Sequence, residues 1–154
     1  MKGRRERGNV IVEFACGSVL LFLVISGSFQ FGYSFYSYTT LENAVHEGAR
    51  YASLQPYDSA TATPSAAYAT SVQNLVVYGT PTPGGSAKPI VPGLTTANVS
   101  VTVTPSAAGT LAVPSQVTVS IVNFTVNAVF GALNLNGRPF ASFPYMGVLT
   151  PPTS

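Results

Sequence analysis

Few residues in this sequence have types that do chemistry, and most of them stand alone. There is one histidine, His46, and one cysteine, Cys16. A zinc site takes three or four side-chain ligands, so no metal site of the usual kind is expected, and Cys16 has no partner for a disulfide within the chain. The five acids are Glu6, Glu13, Glu42, Glu47 and Asp58. With Asp58 alone after Glu47, paired-carboxylate catalysis is poorly supplied. Gly84-Gly85-Ser86-Ala87-Lys88 lacks the spacing of a phosphate-binding loop, and no Gly-x-Ser-x-Gly elbow occurs. His46, between Glu42 and Glu47, reads as a surface residue rather than a base. The expectation is a protein without catalytic residues, cofactor or metal.

Glu13 is different. It is the only charge between Arg7 and Glu42, and it stands inside an apolar stretch. A carboxylate costs about 2.5–3.5 kcal/mol at the centre of a bilayer and less near an interface, so such residues are usually kept for a partner. The chemistry on offer is an ion pair with an amine or other cation. If this stretch is helical, Asn9 and Glu13 are i and i+4 and lie on one face.

The element that must position Glu13 is long. Residues 10–31 are predominantly apolar, and a run of about 20 such residues spans a bilayer as a helix. Lys2, Arg4, Arg5 and Arg7 precede it, which puts the N-terminus on the cytoplasmic side by the positive-inside bias. Tyr33, Phe35, Tyr36 and Tyr38 follow it, where an aromatic belt at the outer interface would lie. A cleaved secretory signal would have a shorter apolar core, about 7–15 residues. The helix should continue outward. Leu41, Val45, Gly48/Ala49 and Ala52 recur at helical spacing and make one apolar face, with Glu42, His46, Glu47 and Arg50 largely opposite. Pro56 predicts the end near Leu54. Ser26-Gly27-Ser28 is a candidate bend.

Composition agrees with an anchored protein. Only 8% of residues are charged, against about 25% in ordinary soluble proteins, yet 46% are hydrophobic, enough to build a core. The net charge of +2 comes from the first residues. Beyond Asn9 the positives are Arg50, Lys88 and Arg138 and the chain is slightly acidic, so nothing makes a basic patch for nucleic acid.

The remainder, residues 55–154, reads as a small α+β domain. Residues 55–64 and 79–93 are Pro-, Gly-, Ser- and Thr-rich loops, and the bias of 55–97 suggests a flexible or glycosylated surface. Between the loops a short helix is predicted, N-capped by Ser65 and stopped by Gly79, with Tyr68, Val72, Leu75 and Val76 on its apolar face. At 98–104 the period changes to two, with Val99, Val101 and Val103 alternating with Ser and Thr. Residues 116–127 read as one second strand, with Val117, Val119 and Ile121 facing one way and Val122, Phe124 and Val126 the other. The linker 105–114 makes a hairpin of the two. A third strand is expected within 140–149, after a turn at Asn136-Gly137, and Pro139 and Pro144 make it short or an edge. Asn98-Val99-Ser100 and Asn123-Phe124-Thr125 match the glycosylation sequon. The architecture expected is an antiparallel sheet packed on the end of a long N-terminal helix.

Several of these residues carry a resemblance. Arg4-Arg5-Glu6-Arg7-Gly8, then Asn9, with Glu13 fifth after the glycine and an apolar run beyond, resembles a type IV prepilin leader. Glu13-Phe14-Ala15, Phe31-Gly32-Tyr33-Ser34-Phe35-Tyr36, and the stretch from Leu41 to Ala52 ending Glu47-Gly48-Ala49-Arg50-Tyr51-Ala52 are similar to TadE/TadG-like pseudopilins of the Tad (Flp) pilus system. The resemblance implies that a prepilin peptidase removes residues 1–8 by cutting between Gly8 and Asn9. It implies that Glu13, at mature position five, meets the Asn9 amine of a neighbouring subunit. The partners implied are the peptidase, other pilin subunits, the inner membrane and the assembly platform. The location implied is a single pass through the inner membrane with residues 55–154 outside. The alternative is an uncleaved, membrane-anchored binding module whose domain recognises an envelope partner.

Cleavage separates these two. Gly8→Val places a larger, β-branched residue at the cut, so the variant should remain full-length in the membrane while the wild type begins at Asn9. N-terminal mass spectrometry of membrane-extracted protein reads this directly, and normal processing of the variant would defeat the leader assignment.

Overall fold

The computed structural model describes residues 3–106, 114–128 and 131–148. In chain order they form α1 (Gly3–Leu54), α2 (Ala66–Tyr78), a 3-10 turn (Thr96–Asn98), β1 (Val99–Pro105), β2 (Pro114–Ile121), β3 (Phe124–Ala128), β4 (Gly131–Leu135) and β5 (Phe140–Pro144). The class is α+β, as the patterning predicts. α1 is continuous through Ser26-Gly27-Ser28, where the Ser28 hydroxyl donates to the Val24 carbonyl at 2.9 Å. At 1.5 Å per residue it is about 78 Å long.

β2 is the centre of a three-stranded antiparallel sheet, β1-β2-β5. The register pairs Val99 with Ile121, Val101 with Val119 and Val103 with Val117 on one side, and Ala141 with Val119 on the other. Side chains alternate across a strand, so these residues share a face, and that face is the core. Val117, Val119 and Ile121 are fully buried. The opposite face carries hydroxyls, with Thr118 Oγ1 2.7 Å from Ser142 Oγ. Both helices cover the apolar face, α1 against β2 and β5 and α2 against β1 and α1. From α1 the contributors are Leu41, Val45, Ala49 and Ala52, all at zero exposure. Leu41 and Val45 alone stabilise the packing by about 1.5–3 kcal/mol each. Glu42, His46, Glu47 and Arg50 are exposed, and the His46 ring meets Phe143 edge-on at 6.2 Å.

α2 forms for local reasons that the sequence shows. Ser65 Oγ accepts from the Tyr68 N–H at 3.1 Å, and Gly79, at φ 72°, donates its N–H to the Leu75 carbonyl at 2.8 Å. The predicted apolar face is the buried one, with Val77 added. The loops around α2 are more than surface. Tyr57, Val91 and Leu94 are buried in the core.

The strand expected over 116–127 is instead two strands in different sheets. β2 ends at Ile121, and β3 begins at Phe124 and pairs only with β4 in a separate hairpin. The break is at Asn123, which has φ 51°, a left-handed conformation that Asn tolerates better than most residues. Asn98 holds the corner. Its Nδ2 donates to the Asn123 carbonyl at 2.9 Å and lies 3.3 Å from that of Val122, and its carbonyl accepts from the Val122 N–H at 2.9 Å. β4 was not expected. The turn after it is where Asn136-Gly137 predicts, with Gly137 at φ 75°. The third strand of the sheet, β5, is a short edge strand, as its prolines require.

Gly48 decides how closely α1 approaches the rest. A Cβ at this position would overlap Val76 Cγ2 and reach 3.9 Å from Val119 Cγ1. Helix interiors disfavour Gly by about 0.8–1.0 kcal/mol relative to Ala, so the residue is tolerated for the contact it allows. Gly48→Val should therefore lower the domain's stability by about 1–3 kcal/mol through overpacking, read by thermal or denaturant unfolding in detergent. Gly48→Ala combined with Val76→Ala should cost less than the two single changes together. Strict additivity would mean that the two side chains do not meet.

Candidate functional site

Ser37, 2% exposed, is the first buried residue of α1. From Val10 to Ile25 the helix is exposed on every face. Val10, Leu20, Phe22, Val24, Phe29 and Phe31 are each more than 60% exposed. The apolar window of this helix has a mean hydropathy of 2.3 and none of it is buried. A helix apolar all round is a core helix or a membrane span, and this one is not covered by the domain. Among the described residues it is one helix long and apolar enough to cross a membrane, and it fits a single-pass anchor.

Gly8 and Asn9 lie within α1, and Glu13 is exposed one turn beyond Asn9. Glu13 is 24 residues from Ser37, about 36 Å along the axis. No cation of the domain reaches it, so a partner for this carboxylate comes from the first residues of the chain or from another molecule. Cys16 is also exposed on this arm. His46 sits on the domain side, well apart from Glu13 and Cys16, and among the described residues no group of three or more His, Cys, Asp or Glu could hold a metal ion.

The other end of the helix is buried in a group of tyrosines. A helix leaves its last carbonyls without intrahelical partners. Here the Tyr68 hydroxyl donates to the Ala52 carbonyl, the Met146 N–H to that of Ser53 at 2.9 Å, and the Tyr145 hydroxyl to that of Gln55 at 2.9 Å. Tyr145 Oη also accepts from the Tyr57 N–H at 2.8 Å, and Tyr57 donates its hydroxyl to the Thr61 carbonyl at 2.6 Å. The rings pack edge to face, Tyr57 on Tyr68 at 5.5 Å and on Tyr145 at 6.3 Å. Asp58 Oδ2 accepts from Ser65 Oγ at 2.7 Å, joining the group to the cap of α2. Gly147 is needed beside it, because a Cβ there would overlap the Gln55 carbonyl.

Residues 8–50 match the family model of TadE-like proteins. This segment is TadE-like. The match agrees with the resemblance read from Glu13-Phe14-Ala15, the Phe31–Tyr36 stretch and the Glu-Gly-Ala-Arg motif. No curated protein and no solved structure matches the chain. The TadE-like segment takes in both the bare arm and the turn bearing Gly48, so it includes the anchor and most of the face by which the anchor joins the domain. Tyr57, Tyr68 and Tyr145, which hold the end of that helix, lie outside it. Sequence reasoning placed Tyr68 on the apolar face of α2 but passed over Tyr57 and Tyr145. Their one signal is that each follows a proline at a segment end.

Burial away from water is the main cause that pushes the phenols of Tyr57, Tyr68 and Tyr145 above the ordinary value of 10.0. The folded state therefore keeps these protons at a pH where the unfolded chain has released them. Stability should be level below about pH 10 and fall as pH rises beyond it. Tyr68→Phe leaves the Ala52 carbonyl without its donor, a loss of about 1–3 kcal/mol at neutral pH, and it should also make the alkaline fall shallower. Near-UV circular dichroism against temperature at several pH values checks both effects; an unchanged alkaline slope in Tyr68→Phe would remove this phenol from the account.

Proposed function

We propose that this chain is a minor pilin or pseudopilin, a structural or assembly subunit of a Tad-like type IV pilus or a related secretion apparatus. The observation that carries the reading is the bare apolar arm of α1, TadE-like in sequence and continuous with a helix end buried in a domain. In this reading a prepilin peptidase removes residues 1–8, leaving a free amine on Asn9. The subunit waits in the inner membrane with its N-terminus cytoplasmic and its domain outside. On assembly the arm leaves lipid for a bundle of like helices and keeps most of its hydrophobic stabilisation, because both surroundings are apolar.

Glu13 then has a role that lipid does not provide. Its carboxylate pairs with the Asn9 amine of a neighbouring subunit. In a water-poor bundle such a pair adds little net stability, but removing one member leaves an uncompensated charge at a cost of about 3–5 kcal/mol. The pair acts mainly on register.

Glu13→Ala separates insertion from assembly. Removing the carboxylate lowers the cost of membrane transfer, so the variant should be made, inserted and cleaved as the wild type is. It should nevertheless fail to join its complex, as read by crosslinking or co-purification with other pilus subunits. Incorporation at the wild-type level would reduce Glu13 to a solvated interfacial residue and favour the uncleaved binding module.

A further inference from the structure

The β3–β4 hairpin belongs to no larger sheet, and an isolated two-stranded hairpin is marginal in water unless something covers one face. Its register pairs Phe124 with Leu135 and Val126 with Leu133 on one face. The other face is polar, with Thr125 Oγ1 bonded to Asn134 Oδ1 at 2.7 Å. Along the apolar face the cover runs out. Phe124, Val126 and Leu135 are 3–5% exposed, but Leu133 is 39% exposed. There an open groove of about 410 Å³ separates the hairpin from α1, lined by Phe31, Phe35 and Tyr38 on the helix and by Gly131, Ala132 and Leu133 on the strand.

The level of that groove is informative. A Cβ on Gly131 would stand 3.8 Å from Gln30 Nε2, so the hairpin reaches back along α1 to Gln30. Counted from Val10, about 20 helical residues cross the roughly 30 Å hydrocarbon core, and they end next to Gln30. The exposed rings of Tyr33, Phe35 and Tyr36 follow at once, in the position of an interfacial aromatic belt. No charged residue occurs in 124–137 or between Glu13 and Glu42, so lowering this region into an interface desolvates no ion.

We propose that the β3–β4 hairpin is a membrane-surface foot: its Gly131–Leu133 end and the facing turn of α1 rest in the outer interface of a phospholipid bilayer, and acyl chains fill the groove between them. The proposal rests on the reading of α1 as a membrane anchor. It gives the domain a second contact with the bilayer and so a fixed tilt, with the polar face of the hairpin toward headgroups and water. When the arm leaves the membrane, the foot has to come off the surface with it.

The test uses the full chain in a Cys16→Ser background, reconstituted in phosphatidylcholine/phosphatidylglycerol vesicles. An environment-sensitive fluorophore is attached at Leu133→Cys or, separately, at Leu21→Cys within the arm. Lipids carrying a spin label at a shallow or a deep acyl position serve as quenchers. The foot predicts a blue-shifted emission at position 133, quenched more by the shallow label than by the deep one, at every lipid-to-protein ratio. Position 21 should be quenched more by the deep label. Quenching at 21 with none at 133 overturns the foot and leaves the anchor standing. No quenching at either position removes the anchor, and the foot with it. A blue shift at 133 that appears only at high protein density means that a second copy fills the groove, and it overturns the lipid assignment. Gly131→Cys, on the apolar face with Leu133 and with nothing nearer to its Cβ than Gln30 Nε2 at 3.8 Å, gives the same readout if Leu133→Cys does not fold.

Discussion

The close contact of Gly48 with Val76 is the constraint on which the molecule turns. It brings the last third of α1 near enough to α2 and to Val119 for the helix to complete the domain's core. Leu41, Val45, Ala49 and Ala52 are then fully enclosed, while the same helix, N-terminal of the turn that the hairpin reaches at Gln30, is exposed from Val10 to Ile25. One rigid element thus serves two surroundings. The join is mechanical as well as hydrophobic, because carbonyls at the C-terminal end of α1 are taken up by Tyr68, Tyr145 and the backbone of Met146. Freeing the helix from the domain would leave those groups unpaired in the interior, which is expensive. Force or displacement applied to the arm is therefore delivered to the core rather than absorbed in a linker.

The turn at Asn123 is the second decision in the fold. Had 116–127 continued as one strand, Phe124 and Val126 would have extended the main sheet. The left-handed Asn123, held by the Asn98 amide, sends the chain down the side of α1 as a separate hairpin. That hairpin gives the domain an apolar underside next to the helix exit. The Asn98 side chain is committed to this corner, so its place in a sequon coincides with a structural role.

The scarcity of charge links these features. In the proposed role the arm would meet low-dielectric surroundings both in a bilayer and among similar helices, where each ion would need a partner. Within the TadE-like segment the apolar arm carries Glu13 alone. The remaining charges of that segment, Glu42, Glu47 and Arg50, lie on its exposed face beside the domain.

Much of this was legible in the chain itself. The apolar run, its basic flank and the helical spacing of Leu41, Val45, Ala49 and Ala52 specify α1 through local periodicity. Ser65 and Gly79 bound α2 through hydrogen bonds to residues three and four positions away. The alternation of Val99, Val101 and Val103 marks a half-buried strand for the same reason, a period visible within a few residues. Tertiary structure alone decided the rest. Nothing local distinguishes Val122-Asn123-Phe124 as a corner rather than a strand interior, because the group that stabilises the corner, Asn98, is 25 residues away. Residues 131–135 pair as β4 only because β3 has been turned aside to receive them, and Tyr57 and Tyr145 become the seat of the helix only when segments about 90 residues apart meet, as the Tyr145–Gln55 hydrogen bond records. Periodicity reports which face of an element is apolar; which partner covers that face depends on contacts made across the chain.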